Sequence, residues 1–218
     1  MVRLTPQERY AQQERRELSD LLLELGPDQP TLCTGWTTRD LAAHLVARDR
    51  KPQTLPGLAI PQLHKVTERV ERVTRKSHSY EDLVALVRKG APVWHPAHVS
   101  LVDELLNHVE YFVHNEDVRR AQPDWKQRDL DTAERDRLWK ALKVVGKIGF
   151  RKSPVGVVAE RTDGEGRLVL RSGGRQVVLA GAAPELLLYA FNRREQAAVD
   201  IRGDEAVIAD FRAAPSGL

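Results

Sequence analysis

Leu101-Val102-Asp103-Glu104-Leu105-Leu106-Asn107-His108-Val109-Glu110-Tyr111-Phe112-Val113-His114 carries the pattern on which the fold turns. At about 100° per residue, the advance of a helix with 3.6 residues per turn, Leu101, Val102, Leu105, Leu106, Val109, Phe112 and Val113 gather on one broad apolar side. Asp103, Asn107, Glu110, His114 and Asp117 form a narrow polar seam along its border. The spacing predicts a long helix over about 100–121. Glu110 and His114 are one helical turn apart, so their side chains sit one above the other. A carboxylate and an imidazole so placed reach a common divalent ion at about 2.0–2.2 Å from each. Asp117 stands a further turn along, where it can accept the second ring N–H of His114 and fix the tautomer. Glu104 and His108 repeat the spacing on the opposite side, which is expected to face water, so spacing alone does not select a pair.

His44 lies mid-helix in Asp40-Leu41-Ala42-Ala43-His44-Leu45-Val46, among apolar neighbours. Two readings fit it: a core histidine satisfied by a hydrogen bond, or a third ligand. Two His and one Glu from two helices leave a coordination position open, the arrangement of a catalytic rather than a structural metal.

Outward from these segments the first two thirds of the chain read as helix. A helix over about 5–25 ends at Gly26-Pro27. Thr37-Thr38-Arg39-Asp40 is a capping-box pattern opening a helix over about 38–50. Proline-rich Lys51–Pro61 follows, as a connector or a lip over a site, then helices over about 62–77, 80–89 and 131–145. After Gly149 the texture changes. Val155–Ala159, Arg167–Leu170 and Gln176–Leu179 are short β-branched runs separated by Gly164-Glu165-Gly166 and Gly173-Gly174, which read as hairpin turns of an antiparallel sheet. A helix over Ala183–Phe191 with Pro184 in its first turn, a strand over Ala198–Ile201 and a helix from Asp204 complete the pattern. The predicted fold is a helical bundle over 1–150 and a small α+β domain over 151–218.

The 218 residues are 41% hydrophobic and 30% charged, the balance of a soluble globular protein. No apolar run approaches the roughly 20 residues of a membrane span, and no signal peptide is visible at the start. The single cysteine, Cys33, cannot form an internal disulfide, so a reducing cytoplasm is expected. A net charge of +3 and a pI near 9.1 raise the question of nucleic acid. Basic and acidic residues interleave, however, and no basic stripe with aromatic platforms emerges, so none is expected as a partner. No motif pairs Cys33 with a base, and it reads as structural. Trp36, Trp94, Trp125 and Trp139 read as packing anchors. All seven histidines (44, 64, 78, 95, 98, 108 and 114) fall in the helical part.

Gly35-Trp36-Thr37-Thr38-Arg39-Asp40-Leu41-Ala42-Ala43-His44-Leu45 resembles the helix-two signature of the DinB-like, mycothiol-dependent maleylpyruvate isomerase superfamily. Val109-Glu110-Tyr111-Phe112-Val113-His114-Asn115-Glu116-Asp117-Val118-Arg119 is similar to its second metal motif. The resemblance implies a DinB-like four-helix bundle holding one divalent metal through His44, Glu110 and His114, and not through Glu104 and His108. Ala183–Arg193 followed by Gly203-Asp204 resembles the family's small sterol-carrier-like domain. There a Leu-rich helix ends in Gly-Arg, and the arginine serves the substrate. Asn192 stands here in place of that glycine, a departure from the pattern, so the role implied for Arg193 is contested by Arg194. The resemblance further implies zinc (or nickel, iron or manganese), mycothiol as thiol cosubstrate and an electrophilic small-molecule substrate. Its chemistry is thiolate addition, followed by rotation and elimination in isomerisation, or retention of the adduct in S-transfer. The rival classes are a binding module without chemistry and a metal hydrolase using bound hydroxide.

Overall fold

Local capping chemistry fixes where the helix that carries His44 begins. In this computed structural model, which describes residues 6–50, 64–91 and 101–214, Thr37 and Asp40 form a reciprocal box. The Thr37 N–H donates to Asp40 Oδ2 at 3.0 Å, and the Asp40 N–H donates back to Thr37 Oγ1 at 3.4 Å. The helix so opened is α2 (Thr38–Arg50). It lies among α1 (Pro6–Leu25), α3 (His64–Ser77), α4 (Tyr80–Lys89) and α5 (Leu101–Arg119). Ser79 caps α4 by accepting the Asp82 N–H, and Gly90 ends it at a φ of 72°.

The chain divides into two compact units, residues 1–127 and 128–218. In the first, α1 packs along α5 and α4, and α2 packs against α3 and α4. Leu18 and Leu22 of α1, Leu41 and Leu45 of α2, Leu83 and Val87 of α4 and Val118 of α5 close the core with no exposed surface. Each such leucine contributes about 2 kcal/mol by leaving water. Five helices occupy the described part of this unit, over the ranges that the sequence pattern predicts, where the resemblance implies a four-helix bundle.

The second unit begins with α6 (Thr132–Gly149), capped by Asp131. Its range was expected to close the bundle. It packs instead on the later α7 and on β2, burying Leu138, Leu142 and Val145, so the division falls at 127/128 rather than near 150. The strands are β1 (Gly156–Arg161), β2 (Arg167–Arg171), β3 (Gln176–Gly181) and β4 (Asp200–Arg202). The helices α7 (Ala183–Ala190) and α8 (Glu205–Ala213) complete it. The sheet runs β2-β1-β3-β4 and is mixed, not antiparallel throughout: β1 and β3 are parallel, with Val157 beside Val177 and Ala159 beside Leu179. Gly173-Gly174 is therefore no hairpin turn. It belongs to a short link that passes the start of β1 to reach that strand's other side. A Cβ on Gly173 would stand 2.7 Å from the Gly156 nitrogen, so only glycine fits the crossing. Phe150, Tyr189 and Phe211 pack at centroid distances of 6.1–6.3 Å in this unit's core. Trp139 lies against Gly166, as an anchor should, while Trp94 falls outside the described residues. No described helix is long and apolar enough to cross a membrane.

Candidate metal centre

α2 and α5 bring together side chains that lie 66 residues apart in sequence. His44 Nε2 is 3.4 Å from Glu110 Oε1, and His114 Nε2 is 3.3 Å from the same oxygen. The two imidazoles meet edge to face with centroids 5.3 Å apart. The donor atoms of all three side chains lie within 4.8 Å of one another. Ligands held about 2.1 Å from a tetrahedral ion stand roughly 3.4 Å apart, so the donor set and its spacing fit a divalent cation.

The outer nitrogens are also engaged. His114 Nδ1 is 3.0 Å from Asp117 Oδ2, within α5, as the spacing predicted. His44 Nδ1 is 2.6 Å from Glu71 Oε1 of α3. Glu110 has its own neighbour: Arg48 Nε is 3.4 Å from Glu110 Oε1. That guanidinium also donates to Asp49 Oδ1 at 3.0 Å and Asn107 Oδ1 at 2.9 Å. The Tyr111 hydroxyl donates to the other Asp49 oxygen.

Charges this close in a buried setting govern one another's protonation. Burial opposes ionisation of Glu110, but Arg48 and the two imidazoles outweigh it and hold the carboxyl well below the usual carboxylate range. Burial likewise disfavours charged imidazoles. For His114 the bonds to Asp117, Cys33 and Glu110 overcome it and push the pKa well above the usual imidazole value. Bonds to Glu110 and Glu71 raise that of His44.

The remaining predicted residues divide. His108 does not face water: it is fully buried, with its ring 5.6 Å from Tyr10. α5 is covered on that side too, so the expectation of a solvated pair with Glu104 is corrected at His108. The Glu104 side chain lies outside what is described. Arg193 belongs to the second unit, just past α7, and its Nη1 donates to the Phe191 carbonyl at 2.5 Å. Asn192 before it adopts a φ of 68°, the left-handed conformation a glycine there would supply, which Asn tolerates. Arg194 lies over the rings of Tyr189 and Phe211. Cys33 is less isolated than its sequence context implied: its thiol donates to Asp117 Oδ2 at 3.3 Å, and Cys33, Asp117 and His114 form a second group of close donor atoms.

Glu71 and Arg48 were not foreseen. Arg48 was within reach of the sequence, since it stands one turn after His44 on the same face of α2. Glu71 had no local signal. Its side chain also lines a cavity of about 200 Å³ between α2 and α3, with Trp36, Asp40, Ala43 and Arg75. Trp36 packs against the His44 ring at 5.1 Å.

Two crystal structures share the fold, each over 93% of this chain and 95% of theirs. One is the mycothiol-dependent maleylpyruvate isomerase, at 16% identity and a TM-score of 0.59. The other is an alanine-for-histidine variant of that isomerase, at 15% and 0.61. Among curated proteins none matches the sequence. The family model of the mycothiol maleylpyruvate isomerase N-terminal domain matches residues 11–142, a span that contains His44, Glu110 and His114. That match covers more than half of the sequence, and the chain belongs to the mycothiol maleylpyruvate isomerase N-terminal domain family.

Proposed function

We propose that this protein is a metal-dependent enzyme that uses mycothiol to isomerise an electrophilic small molecule or to add to it and remain as a thioether (S-transfer). The observation that carries the reading is the convergence of His44 Nε2 and His114 Nε2 on one oxygen of Glu110. Family membership supports the choice of thiol and of reaction class. His44, Glu110 and His114 hold the ion; zinc suits two imidazoles and a carboxylate best, and nickel, iron and manganese are also accepted by such a set. When bound, the cation supplies Lewis acidity that favours the thiolate form of a thiol, the reactive nucleophile.

The chain's own residues do the rest. Asp117 orients His114 by accepting from its Nδ1. Arg48 keeps Glu110 ionised and therefore competent as a ligand. Arg193 is the proposed clamp for a substrate carboxylate, which a planar guanidinium grips through two parallel hydrogen bonds. A reducing cytoplasm accords with a single cysteine, which cannot form an internal disulfide, and with a thiol cosubstrate.

The test is elemental analysis of the purified protein beside its His44→Ala variant. The reading expects close to one equivalent of metal in the first and a large loss in the second. A full equivalent retained by His44→Ala removes the assignment. Incubation of the loaded protein with mycothiol and electrophiles then separates the outcomes: a rearranged product identifies an isomerase and a stable thioether a transferase. Conversion that needs no thiol identifies a hydrolase instead.

A further inference from the structure

The two imidazoles are held alike. Each turns Nε2 toward Glu110, and each has a carboxylate at Nδ1: Asp117 for His114 and Glu71 for His44. Asp117 is supplied by the same helix as its histidine. Glu71 comes from α3, outside both metal-motif segments.

We infer that Glu71 is a positioning residue of the metal centre, fixing His44 with a proton on Nδ1 and the lone pair of Nε2 directed at the ion. The inference rests on the reading of His44, Glu110 and His114 as ligands. Three observations carry it. The contact of 2.6 Å is shorter than the 3.0–3.4 Å that separate these imidazoles from Asp117 and Glu110. It is also sheltered, with the His44 side chain 10% and the Glu71 side chain 17% exposed, so water screens it weakly. Finally, the helical register of α3 turns Glu71 inward beside fully buried Thr74, whereas Arg72, Val73 and Lys76 face out.

Glu71 is not itself a fourth ligand to the same ion. The two nitrogens of an imidazole point away from each other, so an oxygen bonded to Nδ1 is on the far side of the ring from a cation at Nε2. Its role is that of the outer carboxylate in a carboxylate–histidine–metal arrangement, whose removal typically weakens metal binding by 10–100-fold.

The experiment uses the full chain and Zn²⁺ in competition with a chromophoric chelator, for wild type, Glu71→Ala and Glu71→Gln. Glu71→Ala is expected to bind zinc about 10–100-fold more weakly. Glu71→Gln, whose amide oxygen still accepts from Nδ1 without a charge, falls between that variant and wild type. Nitrogen NMR of the zinc-loaded wild type is expected to show His44 protonated at Nδ1. Should Glu71→Ala not fold, Glu71→Gln and the NMR assignment decide. Wild-type affinity in the variants that fold, or a proton on His44 Nε2, overturns the inference while leaving the three ligands standing. Absence of zinc binding in the wild type, or full binding by His44→Ala, instead overturns the ligand reading beneath it.

Discussion

His44 and His114, from two helices, present the same ring nitrogen to the same oxygen: Nε2 to Glu110 Oε1, at 3.4 and 3.3 Å. With Glu71 and Asp117 behind them, two basic rings sit among three carboxylates, and either protons or a cation must balance the charge.

Metal and protons therefore compete. Both imidazoles have raised pKa values in the metal-free fold, so on the proposed ligand reading zinc would displace protons wherever the pH lies below those raised values. Apparent affinity is expected to weaken as pH falls and to level off only above the raised imidazole values. Titration calorimetry in buffers of different ionisation enthalpy measures the protons released; identical heats in all buffers would contradict the prediction. The sign for stability is opposite in the metal-free protein. A raised imidazole pKa means that the folded state keeps protons the unfolded state loses. The stabilisation is complete below the ordinary imidazole value of about 6.5 and disappears as pH climbs through the folded values. Urea midpoints of the metal-free protein should thus decline as pH rises above about 6.5 and through the raised imidazole values.

Arg48 joins Glu110, Asp49 and Asn107 through one guanidinium whose side chain is only 12% exposed. Arg48→Ala leaves two sheltered carboxylates without their cation, at a cost of about 3–5 kcal/mol. It also raises the pKa of Glu110, because the foremost influence holding it down is gone. Denaturant unfolding of metal-free Arg48→Ala checks the first effect. The pH at which zinc is released checks the second, and should move upward. An unchanged unfolding midpoint would show that the network contributes little.

The features legible in the sequence are those whose geometry is local. The Glu110–His114–Asp117 seam follows from helical periodicity, and a histidine among Leu41, Ala42, Ala43, Leu45 and Val46 could only be buried. Glu71 was illegible because its position depends on how α3 seats against α2, a tertiary relation that no spacing encodes. His108 was misread for a related reason. Amphipathic reasoning assumes one wet face, yet α5 is covered where Tyr10 lies against it. In the second unit the β-branched runs marked the strands, but pairing order is not local: a Gly-Gly between strands serves a hairpin and a crossing equally well.

That ambiguity yields a direct test. At Gly173 an added methyl group meets the Gly156 backbone at 2.7 Å, while at Gly174 it meets nothing within 4 Å. Gly173→Ala is expected to cost about 1–3 kcal/mol through forced backbone movement. Gly174→Ala should stay within about 0.5 kcal/mol of wild type. Thermal unfolding of the two variants distinguishes a link pressed against β1 from an open turn, in which both substitutions would behave alike.

Cys33 offers the sharpest discrimination between ion positions. His114 belongs to two groups of donor atoms, one with His44 and Glu110 and the other with Cys33 and Asp117. The groups make opposite demands on its ring. The first needs the Nε2 lone pair, with the Nδ1 proton given to Asp117 Oδ2 at 3.0 Å; the second needs Nδ1 itself free to ligate. A hydroxyl at position 33 can still donate to Asp117, so Cys33→Ser is expected to keep a full equivalent of zinc with little change in affinity. Asp117→Asn, which weakens the support of Nδ1, should lose affinity by about 10–100-fold. If Cys33→Ser lost its metal while His44→Ala retained it, the ion would belong with the thiol. Cobalt substitution reads the same choice optically, since a thiolate ligand adds an intense near-ultraviolet charge-transfer band that a His, His, Glu set lacks.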